Sequence, residues 1–478
     1  MWGSRWPAVE RHDQRGYTSV AVPSRSHSAA FSSTRFDMTV CSSWTFSPAA
    51  CRRGLAFILF CFVLTGCATT ESTNNGESST PARSSGLRLA PQVDRAKTVQ
   101  LFRGTNEAAP PILRLNGSQT LTLAFDLLGE SDGPVSVYFY HANREWERDP
   151  SSSRFLASFQ SDNVLDYSPS QGTEVRYTHY RYSFPNDDIQ FEASGNYIVR
   201  VTEQGREDAV LFERPFFITE DAGSLNLGVE GIIVTGQQVP SDRPIAQYVP
   251  PAALGSSTYD YAVCFVRNAD YSTSRCADRS RLMPSDGVEF ELSRDRAFDP
   301  IRSRHALDLS QLRVGPRIER VDRSVSPFQV MLEPDVARFA GTPFRDPLGS
   351  QIVVSDAVTA LSRPETAAEY VQATFAFVPP DEQPVSGDVV IAGGFTGGQV
   401  RPENAMRWVM NRGRYEVDVL LKQGRYEYFY ASDDPQLEAA MNRNITPAPD
   451  RYVAFVYYRD ITLSSDRLVN VGTVEGVR

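Results

Sequence analysis

The chain has 478 residues, with 48 basic and 58 acidic side chains and a formal net charge of −10. This balance excludes the basic surface that nucleic-acid binding requires, so we expect no nucleic-acid partner. An acidic surface favours solubility or attraction to a basic partner. The length beyond the N-terminal segments, about 390 residues, suffices for two or three domains with their own cores.

Residues 50–70 have the pattern of an export signal. Arg52 and Arg53 precede an apolar run that is shorter than the ~20 residues needed to span a bilayer. Positive residues before such a run predict a signal peptide. We assign residues 1–66 to this signal region and expect Met38 to be the true start.

The end of the signal region predicts lipid attachment. Leu64 to Cys67 has the small-residue pattern of a lipoprotein cleavage box, so Cys67 is expected to become the first residue and to carry acyl chains. Position 68, directly after Cys67, is alanine and not aspartate, which resembles the sorting pattern for the outer membrane of Gram-negative bacteria. The alternative is an ordinary signal peptide that contains a cysteine. Residues 67–92 are polar and predict a flexible tether.

The chain beyond the tether consists of short apolar segments that alternate with period two or are rich in Val, Ile, Tyr and Phe. Pro, Gly, Asn and Asp separate these segments, as is typical of antiparallel sheets. We therefore predict an all-β fold of tandem immunoglobulin-like antiparallel β-sandwiches, with one short helix at 435–443. The predicted domains follow one another as 93–222, 223–362 and 363–478.

Two cysteines, Cys264 and Cys276, remain in the predicted folded part. The segment between them predicts a hairpin whose ends meet. In an oxidising periplasm the pair would then form a disulfide, which adds about 2–4 kcal/mol to stability. The alternative is two buried free thiols.

The sequence carries no strong catalytic or metal-binding motif. His141, His179 and His305 lie far apart, without the i, i+2 or i, i+4 spacing of a metal site. There is no G-x-S-x-G segment that would mark a serine nucleophile. The Gly-rich segment 392–398 precedes no helix, so it predicts a tight β turn and not a phosphate cradle. We expect no catalytic centre, no metal, no cofactor and no small-molecule substrate.

The segment 176–184 reads as a strand with rings on both faces. Alternation places Tyr177 and His179 on one face and Thr178 and Tyr180 on the other. Such a strand would be packed on one side and partly covered on the other.

A turn is expected to follow this strand at Pro185 and Asn186. The two acids after it, Asp187 and Asp188, would then cap the turn. Half of a glycosidase carboxylate pair and a calcium loop are the alternatives for these acids.

Between residues 164 and 201, a D-Y-x-x-S segment that begins at Asp166 and Tyr167 is followed by three motifs that, with it, resemble in order and spacing the plug protein family of the type IX secretion system of Bacteroidota-like bacteria. They are Y-T-H-Y (Tyr177, Thr178, His179, Tyr180), P-N-D-D (Pro185, Asn186, Asp187, Asp188) and S-G-N-Y (Ser194, Gly195, Asn196, Tyr197). Segments 97–128, 413–430 and 456–469 extend the similarity over most of residues 95–470, although the middle domain is only loosely similar.

The resemblance implies a non-enzymatic periplasmic β-sandwich protein that docks on the inner mouth of a large outer-membrane β-barrel translocon and occludes it when no cargo is exported. The acyl chains on Cys67 would hold the protein on the periplasmic side of the outer membrane. Such anchoring makes rebinding effectively intramolecular, so weak docking suffices.

The resemblance also implies a third domain similar to glycogen-binding modules. Gly397 and Gly398 stand where that family usually has a Trp, which argues against a sugar site. The alternative function is an outer-membrane lipoprotein that binds glycan through a sandwich face. That function requires exposed, coplanar rings among four residues, which are Trp408, Tyr426, Tyr428 and Tyr430. A hydrolase would instead require clustered carboxylates in a cleft.

Overall fold

The computed structural model describes residues 86–476, apart from 130–132, 234–239, 256, 285–286, 299–302, 356–360 and 443–448. The chain divides into two units, 1–77 and 78–478, and all described residues belong to the second. The predicted signal region, Cys67 and the tether up to residue 85 lie outside the described residues. The described residues form two α-helices, α1 (Pro364–Ala367) and α2 (Pro435–Asn442). Neither is long and apolar enough to cross a membrane.

The first sandwich is built from nine strands. They are β1 (Ala96–Arg103), β2 (Ile112–Arg114), β3 (Leu121–Leu128), β4 (Val135–Ala142), β5 (Ser161–Val164), β6 (Asp166–Pro169), β7 (Tyr177–Phe184), β8 (Gly195–Glu203) and β9 (Val210–Thr219). One sheet has the order β1-β3-β7-β6 and the other β2-β9-β8-β4-β5. Alternate side chains of both sheets, among them Phe125 and Phe139, fill the space between them.

The second sandwich begins after β9. Its first strands are β10 (Ser224–Ile232), β11 (Ser241–Val249), β12 (Tyr261–Arg267), β13 (Arg275–Cys276), β14 (Arg279–Leu282) and β15 (Val288–Glu291). The order β10-β11-β15-β14 forms one sheet. The other sheet is completed by strands from the C-terminus of the chain.

The third sandwich follows in the chain. Its strands are β16 (Arg304–Asp308), β17 (Ile318–Asp322), β18 (Phe328–Leu332), β19 (Asp335–Val336), β20 (Tyr370–Val378), β21 (Val389–Gly393), β22 (Arg407–Val409), β23 (Arg414–Lys422) and β24 (Arg425–Ser432). The sheet β16-β24-β21 faces the sheet β17-β18-β20-β23-β22, and β19 also pairs with β20.

The last two strands, β25 (Arg451–Asp460) and β26 (Ser465–Glu475), return to the second sandwich. They complete its second sheet in the order β13-β12-β25-β26. The pairing is antiparallel, with Val263 opposite Val456. Val456 therefore packs in the second core together with Phe290.

This pairing corrects the predicted division at residues 362 and 363. The third sandwich is inserted into the second, so the strands from β16 to β19 do not belong to the middle domain and β25 and β26 do not belong to the last. The sequence pattern could not show this, because period-two alternation reports that a strand has a buried face and not which strand lies beside it.

The predicted all-β fold is confirmed, and most strand pairs are antiparallel. The parallel pairs among the described residues are β2 with β9, β18 with β20 and β19 with β20. α2 lies where a helix was predicted.

Candidate functional site

The Y-T-H-Y motif lies on β7, in the sheet of the first sandwich that faces the third. Tyr180 points into the first core, where its ring stacks on Phe125 with centroids 5.0 Å apart. Thr178 is buried on the same face. Tyr177 and His179 point the other way, so both faces of the strand carry rings, as the alternation predicts.

The outward-facing residues of this motif contact the third sandwich. The Tyr177 hydroxyl donates to the carbonyl oxygen of Ala368 at 2.8 Å. The Nζ atom of Lys422, at the end of β23, lies 4.2 Å from the centre of the Tyr177 ring, a cation–π contact. His179 lies directly opposite Asp126 of β3, and its Nδ1 atom is 2.7 Å from Oδ1 of that carboxylate.

Asp126 is the centre of a cluster that joins the two sandwiches. Its Oδ2 atom accepts a bond from Lys422 Nζ at 2.7 Å and another from the hydroxyl of Tyr370, on β20, at 2.7 Å. Lys422 also donates to the carbonyl oxygen of Glu365 at 2.7 Å. Asp126, His179, Tyr370 and Lys422 are called the Asp126 cluster below.

The charges in the Asp126 cluster stabilise each other. Burial alone would raise the pKa of Asp126, but the Lys422 charge and the contact with His179 outweigh it, and the pKa lies below its ordinary value. Burial lowers the pKa of Lys422, although Asp126 opposes this effect. The side chains of Asp126 and Lys422 are each only 1% exposed. The cluster therefore joins the first and third sandwiches through buried, paired charges.

Further polar contacts surround the Asp126 cluster. The Glu369 carboxylate of the third sandwich accepts bonds from the backbone N–H groups of Glu174 and Val175, at 2.7 and 3.2 Å. The Gln100 side chain of β1 donates to the carbonyl oxygen of Ile352 at 2.9 Å. The junction between the first and third sandwiches is therefore hydrogen-bonded along much of its length.

The S-G-N-Y motif lies at the junction between the first and second sandwiches. Asn196 is fully buried, and its Oδ1 atom accepts a bond from the Tyr457 hydroxyl of β25 at 2.8 Å. The Ser194 hydroxyl donates to Glu220 at 2.7 Å. The same carboxylate accepts two bonds from Arg467 of β26, at 2.7 and 2.6 Å. Tyr197 belongs to the first core.

Gly195 of this motif is required by its neighbour His141. Its φ of 149° is rare for residues with a side chain, and a Cβ atom there would lie 2.2 Å from Nε2 of His141. The His141 ring stacks on Phe155 at 3.9 Å, and its Nδ1 atom contacts the Asp149 carboxylate. The ring therefore cannot move away from a new methyl group without losing these contacts.

An apolar cluster completes the junction of the first and second sandwiches. Phe217 of β9 packs against Phe455 of β25 with ring centroids 4.4 Å apart. Ile198 and Leu468 belong to the same buried cluster. Two of the three family motifs, Y-T-H-Y and S-G-N-Y, thus supply residues to domain junctions.

The P-N-D-D motif forms a turn after β7. Pro185 precedes Asn186, whose Oδ1 atom accepts bonds from the N–H groups of Asp188 and Ile189 at 3.0 and 2.8 Å. Asp187 and Asp188 are exposed. Among the described residues no group of three or more His, Cys, Asp or Glu side chains could hold a metal ion.

Cys264 and Cys276 lie opposite each other on β12 and β13, and the structure joins them by a disulfide. Cys264 is buried beside the apolar cluster at the junction with the first sandwich. The bond thus fixes the short strand β13 to the sheet that carries this junction.

Three of the four rings that could stack on a sugar are buried. Tyr426, Tyr428 and Tyr430 are 1–3% exposed. The hydroxyls of Tyr428 and Tyr430 donate to Asp335 at 2.7 and 2.8 Å. Trp408 is partly buried and packs on Tyr415 with centroids 5.1 Å apart.

Residues that sequence reasoning missed are the partners of the motifs, namely Asp126, Tyr370, Lys422, Glu220 and Arg467. One signal was present for Lys422, because the chain beyond the signal region has no lysine besides Lys97 and Lys422. Almost all other basic residues of this part of the chain are arginines, so the rare lysine at position 422 could have been singled out as a candidate functional residue.

The fold and these junctions define an all-β protein of interlocked sandwiches whose motif residues hold its domains together. Residues 96–220, which span the first sandwich, match the family model described as the type 9 secretion system plug protein 1st domain. The chain therefore carries the first domain of the type IX secretion system plug family, as the motifs predicted. No curated protein matches the chain.

A solved structure of similar fold is that of a hypothetical protein from Parabacteroides merdae ATCC 43184, with a TM-score of 0.71 and 22% identity over 81% of this chain and 98% of the other. At that identity the likeness concerns the fold alone. Trypsin-activated alpha-2-macroglobulin from Escherichia coli (TM-score 0.18, 11% identity, 82% of this chain and 24% of the other) and the partial N-terminal region of an enterococcal surface protein (0.17, 9%, 82% and 98%) carry no argument at such scores.

Proposed function

We propose that the protein is a non-enzymatic plug of a type IX secretion system, which docks on the periplasmic mouth of the outer-membrane translocon and occludes it between export events. The observation that carries the proposal is the match of residues 96–220 to the first domain of the plug family. Occlusion acts by size and fit, so it requires no catalytic residue and no cofactor.

The domain junctions support a role as a stiff body. A pore wide enough for folded cargo would leak small molecules unless the body that covers it resists deformation. The Asp126 cluster ties the first sandwich to the third, and Asn196 with Glu220 ties it to the second. Because the third sandwich is inserted into the second, two covalent connections of the chain join these sandwiches. We therefore expect the three sandwiches to move as one body.

Lipid anchoring is the second part of the proposal. Acyl chains on Cys67 would keep the protein at the periplasmic face of the outer membrane and raise its local concentration near the translocon. In cells that lack the translocon barrel, where docking cannot hold the protein, replacing Cys67 with Ser should release it into the soluble periplasmic fraction. Retention of the C67S protein in the outer membrane would contradict the anchor.

Glycan binding is not favoured by the third sandwich. That function requires exposed rings among Trp408, Tyr426, Tyr428 and Tyr430, and the three tyrosines are buried. Their hydroxyls already bond to protein groups, with Tyr426 donating to the Lys422 carbonyl oxygen at 2.6 Å. These side chains therefore act in the core.

The experiment that tests occlusion is a permeability measurement. We expect cells that lack this protein to take up a large hydrophilic antibiotic that intact cells exclude. Cells that lack both this protein and the translocon barrel should exclude it again, because the leak passes through the barrel. A leak that persists without the barrel, or no leak at all in the single deletion, would contradict the proposal.

A further inference from the structure

A cleft of about 60 Å³ lies where the three sandwiches meet. Leu101 and Arg214 line it from the first sandwich, Tyr271 from the second, and Arg401 from the third. Its volume has room for a few water molecules or for one small polar group. None of the three family motifs contributes to it.

Two arginines face this cleft without a carboxylate partner. Arg214 donates to the carbonyl oxygen of Glu213 at 2.9 Å and to Gln92 Oε1 at 2.6 Å. Arg401 donates to Gln399 Oε1 at 3.1 Å. All three acceptors are neutral, and neither arginine forms an ion pair with any residue in the described part of the chain.

The one carboxylate among the described residues that line the cleft is Asp270. Its Oδ1 atom accepts bonds from the backbone N–H of Ser272 at 3.1 Å and from the Ser272 hydroxyl at 2.5 Å. The charges that line the cleft therefore do not cancel, and one positive charge remains.

The electrostatics at Arg214 reflect this surplus. Burial, and after it the charge of Arg401, lower the pKa of Arg214 to about 9. An arginine stays protonated at neutral pH, so the protein holds two like charges here at a cost in stability. Elsewhere the chain neutralises its partly buried arginines: Arg467 pairs with Glu220 and Arg200 pairs with Glu213.

A further donor lies beside the two arginines. The ring of Tyr271 packs on Phe217 with centroids 4.9 Å apart, and its hydroxyl forms no hydrogen bond with another described residue. Burial raises the pKa of Tyr271, so the hydroxyl keeps its proton and remains a donor. The cleft is thus lined by two arginines and by a tyrosine whose hydroxyl keeps its proton.

We infer that the cleft binds an oxyanion, a carboxylate or a phosphate group, between Arg214 and Arg401. Planar guanidinium groups match the geometry of both anions, and charge-assisted bonds of this kind are stronger than bonds to neutral acceptors. Because the walls belong to three sandwiches, a bound anion links all of them. The inference does not depend on the proposed plug function.

The test is thermal denaturation of the purified protein together with calorimetric titration of phosphate and of acetate, each against chloride at equal ionic strength. We expect the melting temperature to rise with one of the two anions in a saturable way, as binding to the native state requires. The anion that binds more tightly identifies the group. No saturable rise with either anion would overturn the inference.

Matched variants separate site binding from a general salt effect. R401Q should weaken anion affinity about tenfold or more, because it removes a charge-assisted bond. Without anion it should melt no lower than the native protein, because the repulsion is gone. R407Q, which alters an exposed arginine of β22, should bind like the native protein. Equal affinity of R401Q and the native protein would overturn the inference.

Discussion

Lys422 of the third sandwich donates to Asp126 of the first across 2.7 Å, with both side chains 1% exposed. A buried charge pair of this kind costs desolvation free energy when it forms, and it becomes strongly destabilising when one partner is removed. We therefore expect the pair to specify how the first and third sandwiches dock. It also places the family's Y-T-H-Y motif in a domain junction, because Tyr177 and His179 contact the same two residues.

Replacing Lys422 with Met should lower the free energy of unfolding by about 3–5 kcal/mol, because Asp126 is left buried without its cation. The measurement is denaturant unfolding. K97M, at the other lysine of this part of the chain, serves as control and should stay within about 0.5 kcal/mol of the native protein. D126N/K422M should recover part of the loss, because no unpaired charge remains. A K422M protein as stable as K97M would show that the pair does not hold the junction.

The free energy of unfolding should decrease in acid, because Asp335 loses its charge there. Burial alone would raise its pKa, but His305 and Arg317 outweigh this and lower it from 3.8 to about 2. A depressed carboxylate pKa stabilises the folded state above the unfolded-state value, and this contribution is lost as pH falls from about 4 to 2. The contribution is about 2 kcal/mol. Unfolding measured between pH 2 and 5 should show a smaller pH dependence in D335N. If the native protein and D335N showed the same dependence of unfolding free energy on pH, the lowered pKa of Asp335 would be contradicted.

Replacing Gly195 with Ala should destabilise the protein by about 1–3 kcal/mol, because the new methyl group collides with His141 in a buried site. G205A is the matched control, since Gly205 also has a positive φ, of 68°, but a Cβ atom there would meet no neighbouring atom within 4 Å. The loss in G195A should exceed the loss in G205A, because G195A adds the clash with His141 and because a φ of 149° is rarer than one of 68° for residues with a side chain. Equal losses would contradict the clash.

The Cys264–Cys276 disulfide should contribute about 2–4 kcal/mol. Denaturant unfolding with and without a reductant should show this loss in the native protein. A C264S/C276S protein should be insensitive to the reductant, which controls for effects on the rest of the chain. If the native protein also does not respond to reductant under unfolding conditions, the two thiols are free.

The sequence was sufficient for local features. Alternation in 176–184 correctly placed rings on both faces of β7, and the turn at Asn186 follows from side-chain bonding to the next residues in the chain. Contacts between distant segments could not be predicted from the sequence. Asp126 and Lys422 are 296 residues apart, and nothing in the alternation of β3 or β23 indicates that their ends meet.

The insertion of one sandwich into another escaped prediction for the same reason. β25 shows the same apolar alternation whether it pairs with β24 or with β12, and the choice depends on the fit of Ala454 and Val456 in the second core. The charge surplus at Arg214 and Arg401 was also invisible, because 187 positions separate the two residues in the chain.

The most direct test of the plug proposal is affinity purification of the tagged protein from detergent-solubilised outer membranes, followed by identification of the proteins that accompany it. We expect a very large outer-membrane β-barrel of the secretion system in near-stoichiometric amount, and much less of it with the K422M protein at equal expression. Recovery of glycan alone, or of no barrel at all, would contradict the proposal.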